Sequence, residues 1–494
     1  MPVAVVMNVL IVVAEMAPLV KVGGLADVVG SLPRALRRLG LDVRVALPFY
    51  AAIEREGLAL QRVASLPDGA VVWQTEARGV PVYLIEHEPS FGREQVYGYQ
   101  DDAARFLAFC DALLAFADDL GSSEPAEDGW RPDVLHLHDW HPGFLAARLA
   151  ARPEHPWAAL PRVCTIHNLA FTGPFDADFA KEHGLPAPAL MPLEDIAPDL
   201  AYSALAQSIL HADLVTAASP GYAREIVTPE FGGELTSLLQ QRRDRLSGIL
   251  NGIDVEEYDP AADPHLAARF DSERIERRIE NKRAIQRRVG LPIEDSVPLL
   301  AMVSRLFWQK GPDLAAGAVE RLLVNRHIQF VALGQGDEEH EAPLQALAGR
   351  HPRQVATRIE FNDALGQLIY GGCDLFLMPS RYEPCGLGQM IAMRYGATPV
   401  VRRTGGLADT VEAFDPARDE GTGFLFDEAS PEALADAIEE ALDVYQDRAA
   451  WRALQLRGMA KDWSWERSAG QYAGLYQRAV DLRAESGAPA GQAR

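Results

Sequence analysis

The sequence predicts an α/β chain of two Rossmann-like domains facing each other across a deep cleft, and three observations carry that expectation. Short, almost wholly apolar runs alternate with stretches of helical spacing, the pattern of parallel strands covered by helices on both faces. At 494 residues the chain is too long for one hydrophobic core. A glycine turn with the helix start behind it, Gly23-Gly24-Leu25-Ala26-Asp27-Val28-Val29, returns in the second half as Gly405-Gly406-Leu407-Ala408-Asp409-Thr410-Val411.

The first strand is expected over 8–15. The apolar run 3–14 lacks a basic flank, is too short to span a membrane, and meets Glu15 where a cleavage site would stand, so it reads as a buried strand rather than a signal peptide. Met7 opens that strand, which leaves 1–6 as a candidate upstream extension. A helix follows over 25–39, and between the two lie Lys21, Gly23 and Gly24. Glycines at a strand-to-helix turn let the backbone close on a ligand, and Lys21 adds positive charge. The plainer reading is a tight turn with a solvated lysine; the echo in the second half favours the ligand.

Alternating runs at 43–47, 71–73 and 80–85 are strands with turns, 101–116 is an amphipathic helix, and 122–128 is a polar loop. A strand at 133–138 ends in Asp139-Trp140-His141, and another at 162–166 ends in His167-Asn168. His136, His138, Asp139, His141 and His167 therefore gather at strand ends. They fit a metal centre, packed core histidines, or polar groups grasping a neutral or phosphorylated ligand. A helix at 201–211, a strand at 214–219 and a strand over 248–254, running into a turn, complete the first half. The charged stretch 259–282 marks a composition shift and the domain boundary.

The second half restarts with a strand at 297–303, followed by Arg305 and by Lys310 at a helix start. Two cations directly after a buried strand, at the end where α/β sheets bind ligands, read as an anion site in an otherwise acidic protein. Further βα units follow at 328–333 and 358–361; the lone Gly334-Gln335-Gly336 is weak evidence of phosphate binding. A strand at 373–378 leads into Glu383, Pro384 at a first helical position, Cys385 and Gly386, then a helix over 386–395 and a strand over 398–402 that opens into Thr404, Gly405 and Gly406. Two neighbouring loops without bulk suit a phosphate or sugar. Cys385 at a helix start is a conceivable nucleophile, but with no base to pair it a packing role is favoured. Trp463, Trp465, Tyr472 and Tyr476 punctuate a last amphipathic helix, and the small polar tail is expected to be disordered.

Lys and Arg number 47 against 70 Asp and Glu, a net charge of −23 that would repel nucleic acid and anionic membranes, so neither is an expected partner. Cys110, Cys164, Cys373 and Cys385 are far apart and form no CxxC pair, which fits a reducing cytoplasm rather than a disulfide frame or zinc ribbon.

The stretches KVGGLADVVGSLP (21–33), HLHDWH (136–141), TIHNLAF (165–171), LNGID (250–254), VSRL with QKG (303–311), PSRYEPCGLGQ (379–389) and RRTGGLADTV (402–411) together make the chain resemble the ADP-glucose-dependent glycogen and starch synthases, from about Asn8 to the final aromatic helix. The resemblance implies the GT-B arrangement. Residues 1–256 would form the acceptor-side domain, 257–462 the nucleotide-sugar-binding domain, 463–483 a helix crossing back to the first domain, and 484–494 a disordered tail. It implies transfer of glucose from ADP-glucose to the non-reducing 4-OH of an α-1,4-glucan such as glycogen, with retention, release of ADP and no metal or other cofactor. By the same resemblance Arg305 and Lys310 hold the diphosphate, and Lys21 with Gly23 and Gly24 approaches it from the opposite domain. Glu383 holds sugar hydroxyls, Cys385, Gly386 and Leu387 contact ADP-glucose, and Thr404, Gly405 and Gly406 cap the phosphates. Asp139, His167 and Asn251 line the glucose and acceptor side. Glu383, Arg305, Lys310, His167 and Asp139 form the implied catalytic set. Val22, Pro312, Gly388 and Asp102 depart from the family's usual Thr, Leu, Thr and Asn. The competing expectations are a transferase using UDP-glucose or another acceptor, and a silent glucan-binding scaffold; the second is disfavoured because Lys21, Arg305, Lys310 and Glu383 are all present.

Overall fold

The apolar run near the start of the chain becomes the central strand of its sheet, and the rest of the first half is laid out on either side of it. The structure is a computed structural model that describes residues 6–122, 129–185 and 202–485. The expected loop at 122–128 falls almost wholly outside the described residues. The chain divides into two compact units, Met1–Gly252 joined by Trp465–Arg494, and Ile253–Ser464.

In the first unit the strands are β1 (Asn8–Val12), β2 (Asp42–Pro48), β3 (Gln61–Ser65), β4 (Val71–Ala77), β5 (Val80–Glu86), β6 (Val134–His138), β7 (Arg162–Ile166), β8 (Pro174–Phe175), β9 (Tyr202–Ser203), β10 (Leu214–Ala217) and β11 (Leu246–Gly248). The main sheet runs β11-β10-β7-β6-β1-β2-β5-β4-β3, and β8 pairs with β9 apart from it. All neighbours in the main sheet are parallel except β3–β4 and β4–β5. The parallel strands β6 and β7 are buried at every position, as continuous apolar runs require, whereas β4 near the edge mixes buried and exposed residues. Arg78 and Gly79, both at positive φ (49° and 79°), form the two-residue turn between β4 and β5, whose twist matches that of the strands it joins.

The second unit holds β12 (Leu299–Val303), β13 (Gln329–Gly334), β14 (Val355–Ile359), β15 (Leu375–Met378), β16 (Thr398–Arg402) and β17 (Phe424–Phe426), in the order β14-β13-β12-β15-β16-β17. Every pairing is parallel. Both sheets reverse direction once. The chain travels outward from β1, then returns to lay β6 on its other flank; it travels outward from β12, then returns with β15. Such reversals part the loops above the carboxyl ends of the two strands and leave room for a ligand.

Several boundaries move. The first unit ends at Gly252 rather than 256, and the terminal helix runs Trp465–Glu485 rather than 463–483. Trp463 belongs to the second unit, where its carbonyl accepts the Ile253 N–H at 2.8 Å. Ala484 and Glu485 continue the helix, so the tail expected from 484 begins no earlier than 486, and 486–494 lie outside the described residues. The helix packs on the helix Gly24–Arg38 of the first unit, with Trp465, Tyr472 and Tyr476 in that unit's core. The strand expected over 248–254 is instead β11, ending at Gly248 and leaving 249–254 as loop. The strand expected at 358–361 begins earlier, at Val355, and ends at Ile359.

Candidate active site

In the second unit, the loop after β12 carries Arg305 and Lys310, and the loop after its neighbour β15 carries Glu383. Lys310 Nζ lies 2.6 Å from Glu383 Oε2, and Ser380 Oγ donates to the same oxygen at 2.9 Å. Glu383 is only 4% exposed, so these two donors are what allow a carboxylate to sit there. The backbones of the two loops are joined as well. Arg381 N–H donates to the Gln309 carbonyl at 2.8 Å, and the Gln309 amide donates to the Tyr382 carbonyl at 3.2 Å. The Arg381 guanidinium grips Asp313 at 2.7 and 2.9 Å and the Trp308 carbonyl at 2.8 Å. Pro312, one of the departures from the family pattern, opens the helix Pro312–Leu323, where its missing N–H costs no helical bond. Arg305 is exposed, with its guanidinium 5.4 Å above the Phe307 ring, and no carboxylate among the described residues pairs with it.

The loop after β16 closes on the same place. Gly406 N–H donates to the Glu383 carbonyl at 3.0 Å, and a β-carbon at 406 would stand 2.1 Å from the Cys385 carbonyl oxygen. Gln389 Nε2 lies 3.1 Å from the Cys385 carbonyl, 2.8 Å from that of Gly386 and 3.0 Å from Thr410 Oγ1, which ties Cys385–Leu387 to the helix Gly405–Thr410. The preceding helix begins at Gly388, not 386. Pro384 is therefore in the loop and not at a first helical position, Cys385 is a buried loop residue, and Gly386 turns the chain at φ 74°.

In the first unit, the loop after β1 is organised by a residue the sequence reading passed over. Glu15, 4% exposed, accepts the Val22 N–H at 2.7 Å and the Gly23 N–H at 2.9 Å through Oε2, and the Tyr97 hydroxyl at 3.1 Å through Oε1. Burial raises its pKa, and the two backbone donors oppose the rise. Because Val22 contributes its N–H, the exchange of Thr for Val there leaves the contact intact. Lys21 pairs with Asp27 at 2.8 Å at the surface. Gly23 is extended at φ −143°, and a β-carbon on it would come no closer than 3.8 Å to Glu15; one on Gly24 would meet nothing within 4 Å. The echoed glycines thus differ. At Gly406 the fold itself excludes a side chain, whereas at Gly23 and Gly24 it leaves open space.

Asp139 follows β6 at φ 58°, a left-handed conformation that Asp tolerates. Its Oδ1 accepts the His167 N–H at 2.6 Å. Burial lifts its pKa to about 7 against the lowering effect of the His167 and Asn168 N–H groups. His138 Nδ1 lies 2.8 Å from His167 Nε2, the two rings meeting edge to edge with their planes 14° apart. His136 is held between Thr165 Oγ1 at 2.6 Å and the Tyr476 hydroxyl at 2.8 Å. Burial depresses the pKa of His136 and of His141 to about 3, so both rings are neutral. Among the described residues no three His, Cys, Asp or Glu side chains are grouped so as to hold a metal ion. His136 serves packing, and His167 is half-buried at the strand mouth. Tyr97, whose hydroxyl meets Glu15, stacks on His141 at 5.2 Å and so bridges the loops after β1 and β6. Asn251 is buried beyond the edge strand β11, with β10 between that strand and β7, whose loop carries His167.

Residues 8–241 match the family described as starch synthase catalytic domain, and residues 285–453 match glycosyl transferases group 1. A glycogen synthase of Gloeobacter violaceus is 43% identical over 482 residues, covering 96% of this chain and 99% of the relative. The chain belongs to the glycogen synthase family. A second member, from Anaeromyxobacter dehalogenans strain 2CP-1, is 45% identical over 486 residues, with 95% and 99% covered. The solved catalytic domain of starch synthase IV from Arabidopsis thaliana, bound to ADP and acarbose, gives a TM-score of 0.86 at 35% identity, with 96% and 99% covered. Both α/β units of a GT-B glycosyltransferase are present, and the chain is a glycosyltransferase. Among the described residues no helix is long and apolar enough to cross a membrane. Of the supporting residues, Ser380, three positions before Glu383, and Gln389, four after Cys385, were within reach of a sequence reading. The partners of Glu15 and Tyr97 were not, because 82 residues separate them.

Proposed function

We propose that this enzyme extends α-1,4-glucans by moving glucose from ADP-glucose to the non-reducing 4-OH of glycogen, with retention and without a metal, in the cytoplasm. The observation that carries the reading is the meeting of Lys310, Glu383 and Ser380, with Arg305 in the same loop, at the point where the second sheet reverses. The bond from the anomeric carbon to the diphosphate breaks as the bond to the acceptor oxygen forms, and the acceptor's proton leaves on ADP. Charge accumulates on the diphosphate while the sugar becomes oxocarbenium-like, so fixed cations stabilise the transition state more than the ground state. Arg305 and Lys310 supply them, and the ammonium is already held in place by Glu383. Glu383 positions sugar hydroxyls. Oε2 accepts from Lys310 and Ser380, which fits Glu383 to a positioning role, and substitution proceeds on the front face of the sugar rather than through a glucosyl–enzyme ester. In the first unit Asp139, His167 and Asn251 serve the glucose and acceptor, and the Glu15-organised loop at Lys21–Gly24, with open space at both glycines, serves the diphosphate. The ADP and acarbose bound to the starch synthase relative support the nucleotide and glucan assignments. The four free, buried cysteines fit a reducing compartment.

The test is release of nucleoside diphosphate with glycogen present, compared between ADP-glucose and UDP-glucose, with the anomer of the new linkage read by NMR. ADP release that depends on glycogen and an α-linked product are expected. Faster turnover of UDP-glucose, or no release beyond hydrolysis, overturns the reading.

A further inference from the structure

We propose that His138 is a positioning residue that fixes the tautomer of His167, so that His167 presents an Nδ1–H donor to an oxygen of the bound sugar. His138 is fully buried at the end of β6, and its Nδ1 is 2.8 Å from Nε2 of His167 beyond β7. One of the two nitrogens carries the shared proton. The remaining nitrogen of His138, Nε2, is buried and has no hydrogen-bond partner.

Two neutral arrangements are possible. If His167 donated from Nε2, His138 would accept at Nδ1 and carry its own proton on Nε2, a buried N–H with nothing to receive it. If His138 donates from Nδ1, its Nε2 is a bare lone pair, and unpaired buried acceptors are tolerated more often than unpaired buried donors. The second arrangement leaves His167 with an accepting Nε2 and a proton on Nδ1. The two rings are nearly coplanar and meet edge to edge, their planes 14° apart and centroids 5.1 Å apart as an in-plane N–H···N bond requires, and the His167 backbone is held by Asp139 at 2.6 Å. The neutrality both arrangements require follows from burial, which lowers the pKa of both rings. The sugar as the recipient of that proton rests on the glucosyl-transfer reading; the tautomer does not.

The experiment is histidine-selective nitrogen NMR of the full chain without substrate, with His167 assigned from His167→Gln. An Nδ1-protonated His167 is expected, and an Nε2-protonated ring overturns the proposal. Two variants separate positioning from packing. Asn carries its amide nitrogen the same number of bonds from Cα as Nδ1, so His138→Asn can still donate to His167, whereas His138→Leu keeps bulk without a donor. His138→Leu is expected to give mixed His167 tautomers and to lower kcat/KM about tenfold, the effect of one lost hydrogen bond, with His138→Asn recovering most of both. A single unchanged tautomer in His138→Leu overturns the proposal. If the wild type shows the expected tautomer but transfers no glucose to glycogen, the functional reading fails and the role of His138 stands.

Discussion

Lys310 Nζ stands 2.6 Å from Glu383 Oε2, an ammonium on the loop after β12 meeting a carboxylate on the loop after β15. The pair couples the two loops at the sheet reversal, and its members have unlike neighbours from Arg305, which is exposed and bears no ion pair among the described residues. Lys310→Ala and Arg305→Ala are each expected to lower kcat/KM at least about tenfold, since a charge-assisted hydrogen bond to the diphosphate contributes roughly 1.5–3 kcal/mol. Only Lys310→Ala should also lower the unfolding midpoint, because it strands a buried carboxylate. Steady-state kinetics beside thermal unfolding check both, and near-normal activity in both variants would remove the phosphate-site assignment.

Glu383→Gln keeps the shape of the side chain and its contact to Ser380 while cancelling the charge that holds Lys310. Turnover should fall by about 100-fold, of the order found when a transition-state contact is removed. Mass spectrometry of the wild type quenched during turnover should show no added hexose on Glu383. A trapped ester there would replace the front-face reading with a two-step one.

The echoed glycines allow a test that separates fold from ligand. Gly406→Ala places a β-carbon 2.1 Å from the Cys385 carbonyl, a backbone clash that should cost about 1–3 kcal/mol of stability. Gly24→Ala meets nothing within 4 Å at the first position of a helix, so the unfolding midpoint should hold or rise slightly. Activity should fall in both if a ligand approaches the backbone at Gly24. Full activity in Gly24→Ala would return that turn to a purely structural role.

What the sequence made legible follows from locality. Buried strands announce themselves as apolar runs, so β1, β6, β7, β12, β15 and β16 were readable, and with them the loops that bear Lys21, Asp139, His167, Arg305 and Glu383. Strand order was not readable, because it is set by which helices cover which face. The reversal points that explain why those loops in particular carry the chemistry appear only in the folded sheets. Glu15 was hidden for the same reason: a carboxylate at the end of an apolar run looks like the end of a strand until its acceptors are seen to hold Val22, Gly23 and Tyr97. Two boundaries failed for a different cause. The helices expected at 386 and 463 begin at Gly388 and Trp465, because Gly386 at positive φ and the strand-like pairing of Ile253 with Ser464 hold those residues outside the helices.

Asp139 and the histidines beside it predict opposite dependences of stability on pH. Burial lifts Asp139 from an ordinary 3.8 to about 7, so between those values the folded chain keeps a proton that the unfolded chain has lost. Its stabilising effect is complete at low pH and disappears as pH rises through 7. His136 and His141 fall from 6.5 to about 3, so the unfolded chain takes up protons first on acidification; their effect is complete above 6.5 and lost as pH drops toward 3. The two trends oppose each other from about 4 to 6.5. Asp139→Asn retains Oδ1 to accept the His167 N–H but cannot ionise. Its gain in unfolding midpoint over the wild type should therefore be larger at pH 8 than at pH 5, as measured by calorimetry across that range. An equal shift at both ends would mean that burial does not hold the Asp139 carboxyl near a pKa of about 7.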